Sequence, residues 1–212
     1  MGCGCLGALL GNSENAAYIK SVSAGKTEEQ KKVIEYFCKE EGCFSKNISD
    51  EEYLSMIRRK RDSLNLRKRG LDKVGLDEDE VKEIEPVMLE GFVYDRAYAK
   101  KRANGSWVSS AYQVTWLFFS PSDMHIYTYT FNMDEDKKKE TTDTFFYRDV
   151  VSFSTSTETE TAHGVNDTKF EIDNNKFKMV VPGDKIFVSM GDVEGGDDIL
   201  RALKQLLKDK KM

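Results

Sequence analysis

The chain has 212 residues and a formal net charge of -5, and 39% of its residues are hydrophobic, 33% charged and 11% aromatic. These proportions are typical of a soluble globular protein with an aromatic-rich core, so we expect it to fold without metals or disulfides. The acidic total charge argues against nucleic acid as a partner, because phosphate recognition requires a dominant basic surface.

Residues 1–26 are predicted to form a flexible tail. Its first ten residues are small and apolar, but this run is too short to span a membrane and lacks the charged start of a signal peptide. Gly2, Cys3 and Cys5 are typical of a lipid-modified N-terminus, whereas Leu6 stands where acylation requires Ser or Thr. An unmodified, weakly apolar tail is the favoured interpretation.

The four cysteines all lie in the first fifth of the chain, at Cys3, Cys5, Cys38 and Cys43. A secreted, disulfide-stabilised domain would distribute its cysteines through the fold. Their spacings also differ from that of a zinc knuckle, and no histidine lies nearby. We therefore favour reduced thiols in a cytoplasmic protein over a zinc site, and we predict neither a metal nor a cofactor.

Residues 27–86 are predicted to form a helical region with three helices. Each helix opens with a capping or acidic signal and closes with Gly or Pro. Their predicted bounds are 27–42, 49–70 and 76–86. The first two start at capping boxes, formed by Thr27 with Gln30 and by Ser49 with Glu52.

The second predicted helix carries the strongest positive charge in the chain. Its basic residues are Arg58, Arg59, Lys60, Arg61, Arg67, Lys68 and Arg69. With apolar residues on its other face, this helix could bind an anionic membrane or nucleic acid. The favoured alternative is that its charges pair with the acidic segment 77–85 of the same molecule, because surface charges of mixed sign commonly balance locally.

After Pro86 the apolar residues alternate, which predicts β-strands. Seven strands are expected, at about 92–98, 107–119, 126–131, 145–153, 169–173, 176–181 and 185–190. The polar segment 154–166 is predicted to be a long loop, and Asn174 with Asn175 predicts a hairpin turn. Because the third strand is apolar on both faces, a further layer is expected to cover the outside of the sheet.

A final helix is predicted from Asp197 onward, with an apolar stripe that must be buried. The stripe consists of Ile199, Leu200, Leu203, Leu206 and Leu207. We expect this helix to close one end of a strongly bent sheet. The predicted fold is thus α+β, with a seven-stranded antiparallel β-barrel and its C-terminal helix in residues 87–212, preceded by a helical extension.

Seven strands followed by a helix resemble the order of elements in pleckstrin-homology-like (PH-like) domains. The segment YRDVVSFS at 147–154 resembles a strand of bacterial members of that family. The segments SSAYQVTWLFFS and VVPGDKIFVSM are similar to those of uncharacterised bacterial proteins with this domain. The resemblance covers about residues 88–210 and implies a binding scaffold.

Pleckstrin-homology domains that bind phosphoinositides use basic residues between their first two strands. Lys100, Lys101 and Arg102 lie in the corresponding predicted loop, so the resemblance implies that they attract an anionic lipid surface. Residues 107–110, WVSS, differ from the basic pair with which that motif continues. A solvated loop without a ligand is the alternative.

Catalytic motifs are not recognisable in the chain. Its two histidines, His125 and His163, belong to no nucleophile motif, and the acidic residues 134–136 lack the spacing of a calcium loop. The first hypothesis is therefore a non-catalytic binding or scaffolding module with a protein or peptide partner. The second is a lipid-binding protein at the periphery of an anionic membrane, using the three basic loop residues together with Leu6, Leu9 and Leu10.

Overall fold

A computed structural model describes residues 15–39, 47–191 and 196–210. Within these residues the protein is α+β, with helices before and after a series of antiparallel strands. The acylation hypothesis, the apolar residues Leu6 to Leu10 and three of the four cysteines lie outside the described residues.

The N-terminal part is helical. Its helices are α1 (15–22), α2 (Glu28–Cys38), α3 (Asp50–Ser63) and α4 (Leu66–Val74). The predicted starts of α2 and α3 are confirmed, because the side chains of Thr27 and Ser49 accept hydrogen bonds from the backbone N–H groups of Gln30 and Glu52. Helix α1 lies in the stretch predicted to be a flexible tail.

The predicted ends of the three helices are wrong. Helix α2 ends at Cys38 instead of near residue 42. The second helix is interrupted at Asn65, whose φ of 47° is left-handed, and α4 then continues through Gly70 to Val74. The segment 76–86 begins with a capping box, in which Asp77 and Glu80 exchange hydrogen bonds, but the chain after it forms only turns.

The described residues form nine strands in three antiparallel sheets. The four-stranded sheet has the order β1-β4-β5-β6, with bounds Val87–Val93, Ala111–Phe119, Asp123–Asn132 and Lys138–Phe146. A hairpin contains β2 (Ala99–Lys101) and β3 (Trp107–Ser109). The three-stranded sheet contains β7 (Ser152–His163), β8 (Lys169–Val181) and β9 (Asp184–Ser189).

Several strand predictions are wrong. The first predicted strand, 92–98, belongs to β1 only as far as Val93, and the second, 107–119, is divided between β3 and β4. The segment predicted as a loop at 154–166 is mostly strand β7, and the predicted fourth strand is divided between β6, a 3-10 turn at Tyr147–Asp149 and the start of β7. Asn174 and Asn175 lie inside β8 and form no hairpin. The barrel is also not closed, since no ladder joins the four-stranded to the three-stranded sheet within the described residues.

Helices α2, α3 and α4 cover one face of the four-stranded sheet, which confirms the expected outer layer. Alternate residues of β4 and β5, among them Phe118 and Tyr127, pack in one cluster with helix residues such as Val33, Tyr53 and Ile57. We call this cluster the outer core. It buries the aromatic face of the sheet.

The opposite face of the same sheet packs on the three-stranded sheet and on α5 (Gly196–Lys210) in a second cluster, the inner core. Leu203 and Leu207 of α5 are buried there, and Ile199, Leu200 and Leu206 pack at its margin. The predicted burial of the apolar stripe is therefore confirmed.

The two main sheets approach each other closely at one edge. A Cβ atom on Gly91 of β1 would lie 2.7 Å from the backbone nitrogen of Gly191, just after β9. Nearby, the backbone N–H of Ser189 donates to the side-chain oxygen of Gln113, at 2.8 Å. This contact positions the candidate site described next.

Candidate functional site

A cavity lies beside this contact, between β1, the β2–β3 hairpin and β8. We call it the aromatic cleft, and its volume is about 530 Å³. Its lining residues are Glu90, Gly91, Phe92, Tyr94, Arg102, Ser106, Trp107, Tyr112, Asp173, Asn174, Asn175 and Gly191. Concave sites of this size with aromatic walls and a few polar groups are typical of ligand binding.

The walls of the cleft contain four aromatic side chains: Phe92 of β1, Tyr94 just after β1, Trp107 of β3 and Tyr112 of β4. Phe92 and Tyr112 meet edge to face with ring centroids 5.2 Å apart, and Tyr94 lies 6.4 Å from Phe92. Trp107 stacks on Phe170 at 5.3 Å, which fixes the indole on the hairpin. Rings held by such contacts form a stable apolar surface for a ligand.

A buried amide joins the two sides of the cleft. Asn174 of β8 is 6% exposed, and its side chain donates to the backbone oxygen of Phe92 in β1, at 3.0 Å. This bond connects two sheets across the cleft. Asn174 and Asn175 form no turn because they pair with Glu158 and Thr157 of β7.

Polar groups line the rim. Arg102 donates from Nε to the hydroxyl of Ser106 at 2.8 Å, so its guanidinium is held along the hairpin. On the opposite side, the Asp173 carboxylate accepts from the Thr159 hydroxyl at 2.8 Å. The rim therefore offers charges of both signs to a ligand.

Glu90 also lines the cleft. One of its carboxylate oxygens accepts from Arg61 of α3 at 2.7 Å, and the other is buried. Burial raises the pKa of the adjacent Tyr112 hydroxyl, and Glu90 adds to the effect. The cleft thus contains a carboxylate placed between a guanidinium and a tyrosine hydroxyl.

The three basic residues predicted to lie in a loop belong to the β2–β3 hairpin. Lys100 and Lys101 are in β2, and the loop itself is the turn around Gly105. The Lys100 ammonium lies 4.8 Å from the centre of the Tyr36 ring, and that of Lys101 lies 6.0 Å from the centre of the Trp107 ring. The three residues therefore do not project together from a loop tip.

The same three residues border a second depression of about 430 Å³. Its lining residues are Phe37, Cys38, Lys39, Lys100, Lys101, Arg102, Ala103 and Val165. Arg102 borders both cavities. Burial raises the pKa of the Cys38 thiol to about 12, and the Asp134 carboxylate adds to the effect, so the thiol is protonated at neutral pH.

Several of the seven basic residues of the predicted second helix bind the protein itself. Arg61 donates to Glu90, and Arg69 donates from two nitrogens to both oxygens of Glu140, at 2.7 and 2.8 Å. Arg67 pairs with Glu78 in the acidic segment, as the intramolecular interpretation expects. These contacts fasten the helices to the sheet and to the turns that follow them.

The other basic residues of that helix divide into two groups. Lys60 donates to the backbone oxygen of Asn132 at 2.6 Å, and Lys68 pairs with Asp72 within α4. Arg58 and Arg59 are exposed and form no ion pair with the described residues. The predicted helix therefore presents no continuous basic surface within the described residues, and only these two arginines remain unpaired.

The two histidines lie apart. His125 is 8% exposed, and its Nδ1 lies 2.9 Å from the hydroxyl of Thr144. Burial lowers the pKa of His125. His163 ends β7 and lies beside Asp134 and Asp167 in a small cavity of about 180 Å³. Across the described ranges, no group of three or more His, Cys, Asp or Glu side chains is arranged to hold a metal ion.

Comparison with known proteins finds no match to the chain: no family model, no curated protein and no solved structure is significantly similar. Among the helices in the described residues, none has the length and apolar character needed to cross a membrane.

The cleft was not predicted from the sequence, although its aromatic residues were assigned to strand faces. Asn174 and Asn175 were interpreted as a turn, and the polar run of β7 that pairs with them was interpreted as a loop. The signal that could have located them is the Thr and Glu alternation at 155–160, since threonine is common in exposed strands.

Proposed function

We propose that this protein is a non-catalytic recognition module that binds a segment of a protein or peptide partner in the aromatic cleft. The observation that carries the proposal is the convergence of four aromatic rings with Arg, Asp and Asn side chains in one cavity of about 530 Å³. Tyr, Trp and Arg are the residues that contribute most to protein interfaces.

The scaffold is part of the proposal. We infer a PH-like scaffold from a four-stranded antiparallel sheet that shares a core with a three-stranded one and with a C-terminal helix; the β2–β3 hairpin and the open sheets depart from a closed barrel. Such domains are mostly used for binding. This supports a recognition role over catalysis.

Selection from a displayed library of random peptides tests the proposal. The full chain is used to select binders, and the affinities of the selected peptides are then measured for cleft variants. We expect Arg102→Glu to weaken binding by about tenfold or more, because it reverses a rim charge. Asn175→Trp, which places a large ring at the cleft mouth, is expected to abolish binding.

Arg59→Glu is the matched control. It makes the same charge change, but Arg59 is an exposed residue of α3 that does not line the cleft. Selected peptides that bind Arg102→Glu and Asn175→Trp as tightly as the wild type, or that lose affinity equally for Arg59→Glu, would contradict the proposal.

Anionic-lipid binding is the second candidate function. It is favoured by one observation: Lys39, Lys100, Lys101 and Arg102 surround one depression with an apolar wall that includes Phe37. Each cation near an anionic membrane contributes on the order of 1 kcal/mol. A cytoplasmic protein of this kind would associate with the membrane at its periphery.

Vesicle sedimentation separates the two functions. Full chain is mixed with neutral phosphatidylcholine vesicles or with vesicles that also contain phosphatidylserine. Lipid binding predicts pelleting only with the anionic vesicles, and loss of pelleting when Lys100, Lys101 and Arg102 are changed to Ala. The double variant Arg58→Ala and Arg59→Ala is the control, because it removes exposed charge elsewhere. If the control variant lost pelleting as completely as the triple variant, the depression beside Lys100, Lys101 and Arg102 would not be the lipid site.

A further inference from the structure

Strand β6 forms the outer edge of the four-stranded sheet. It pairs with β5 along its whole length, from Phe131 opposite Lys138 to Asp123 opposite Phe146. On its other edge, no strand of the described residues pairs with it. An unpaired strand edge presents a row of backbone N–H and C=O groups that another strand can bind.

This edge is open to solvent over nearly all of its residues. Only Glu140 and Phe145 of the nine residues are partly covered, and the contact with α4 is made on a face of the strand, through the pair between Arg69 and Glu140. Phe146, at the end of β6, is 49% exposed and is one of two large hydrophobic side chains exposed in the described residues. One cation, Arg148, lies 4.9 Å from the centre of its ring.

The sequence of β6, KKETTDTFF, is complementary to itself when two copies run antiparallel. In the register that pairs the full strand, each residue faces the one equally distant from the central Thr142. The opposed pairs are Lys138 with Phe146, Lys139 with Phe145, Glu140 with Thr144, Thr141 with Asp143, and Thr142 with itself.

These pairs are all of favourable or neutral type. The two lysines meet aromatic rings, the two acids meet threonines, and no like charges are opposed. The three threonines at the centre also suit an exposed strand. A shift of the register by two residues in either direction leaves two residues of each strand without an opposed partner, and in one direction it also opposes Asp143 to itself.

We propose that β6 pairs edge to edge with β6 of a second copy of this chain, so that two four-stranded sheets form one continuous sheet across a two-fold axis at Thr142. The interface is a strand pair of limited area, so the dimer is weak and forms with increasing concentration. Because β1 is the opposite edge of the sheet, the two aromatic clefts lie at the far ends of the joined sheet and stay accessible.

Dimer formation by the full chain is measured by sedimentation velocity. The protein concentrations cover dissociation constants from micromolar to millimolar. The wild type is expected to change from monomer to dimer. Thr142→Lys places two like charges opposite each other and is expected to weaken the dimer by about tenfold or more. The matched control is Thr155→Lys, an exposed threonine on β7, the edge strand of the other sheet.

Disulfide trapping tests the register. In a chain whose four native cysteines are replaced by Ser or Ala and whose circular dichroism matches the wild type, Thr142→Cys is oxidised at dimer-forming concentration. Directly opposed residues of paired strands lie within disulfide range, so a covalent dimer is expected. Thr155→Cys and Thr141→Cys are expected to remain monomeric.

A wild type that stays monomeric at every concentration would overturn the proposal. So would a dimer that Thr142→Lys leaves unchanged, or cross-linking of Thr155→Cys at the rate of Thr142→Cys.

Discussion

The two cores on either side of the four-stranded sheet differ in chemistry. The outer core contains four buried tyrosines, Tyr36, Tyr53, Tyr127 and Tyr129, whereas the inner core contains only Tyr147 among its buried residues. Three of the outer hydroxyls donate at 2.6 to 2.8 Å, to Asp50, to the Ser109 backbone and to Glu140. The inner core is mainly aliphatic and phenylalanine side chains.

This difference shows how one sheet binds two unlike layers. Aliphatic burial is strong but has no direction, so it suits the inner core, where two sheets and α5 define the geometry together. Tyrosine adds a directional hydrogen bond to the same kind of burial. The helices of the outer layer, which are joined to the sheet by few backbone contacts, are thereby fixed in orientation.

The largest expected effect is in the inner core. Leu203→Asp removes a buried aliphatic side chain from α5 and places a carboxylate in an apolar environment. We expect a loss of about 4 kcal/mol in the free energy of unfolding, measured with urea. Ala202→Asp, on the exposed side of the same helix, is the control and should change stability by less than about 0.5 kcal/mol. Equal effects would mean that α5 does not pack on the sheets.

A smaller effect is expected where α4 crosses the outer core. A Cβ atom at Gly70 would lie 2.9 Å from the rings of both Phe118 and Tyr127, which are buried and cannot withdraw. Gly70→Val should therefore cost about 2 to 3 kcal/mol of unfolding free energy. Gly75→Asn is the contrasting substitution just after the same helix. An added Cβ there meets open space, and Asn tolerates the left-handed backbone at φ 76°, so the loss should be below about 1 kcal/mol.

The third prediction tests whether the tyrosine hydroxyls fasten the helices. Tyr53→Phe removes the buried hydrogen bond to the backbone oxygen of Ser109 and leaves that oxygen without this donor. We expect a loss of about 1.5 kcal/mol in chemical unfolding. Tyr94→Phe removes a longer bond, of 3.3 Å, at the cleft and should cost less than about 0.5 kcal/mol. A neutral Tyr53→Phe would show that burial alone holds α3.

The smallest effect concerns the ion pair between α4 and β6. The hydrogen bonds from Arg69 lower the pKa of Glu140 in the folded state, against a smaller opposing effect of burial. The ion pair therefore stabilises the fold fully at pH values above the pKa that Glu140 has in the unfolded chain, near 4.5. This stabilisation is lost as the pH falls through the lower pKa that Glu140 has in the folded state.

Glu140→Gln should accordingly cost about 1 kcal/mol at neutral pH, because the pair is bidentate but only partly buried. The stability difference between wild type and variant, followed by thermal unfolding from pH 7 downward, should disappear in acid. Glu78→Gln, which removes the exposed partner of Arg67, is the control and should change stability little at any pH. A difference that persists in acid would show that the carboxylate charge is not its source.

Features set by local interactions were predictable from the sequence. The start of α2 depends on four consecutive residues from Thr27, and the two faces of β4 and β5 follow from simple alternation. Strand β7 was missed because most of its outward residues are exposed, so it lacks an apolar period. Alternation of apolar residues arises where one face of a strand is buried. An edge strand with mostly polar residues shows little such alternation.

The candidate site required contacts between distant segments. Nothing in the residues around Asn174 indicates that its amide binds the backbone of Phe92, in another sheet. The positions of the basic residues between the first strands were also predictable, but their contacts were not. Lys100, for example, contacts the ring of Tyr36 in α2, which is far away in the sequence. Local propensity predicts the elements, while the cleft is a product of how they pack.

The close approach of Gly91 and Gly191 has a kinetic consequence. It joins the first strand of the β region to the segment after the last, so it can form only once the intervening chain is ordered. Closing so long a loop is entropically unfavourable until the contacts within it exist, and such topologies reach the native state slowly. We therefore expect the helices to form early and the junction of the two sheets, with the cleft beside it, to appear in the last folding step.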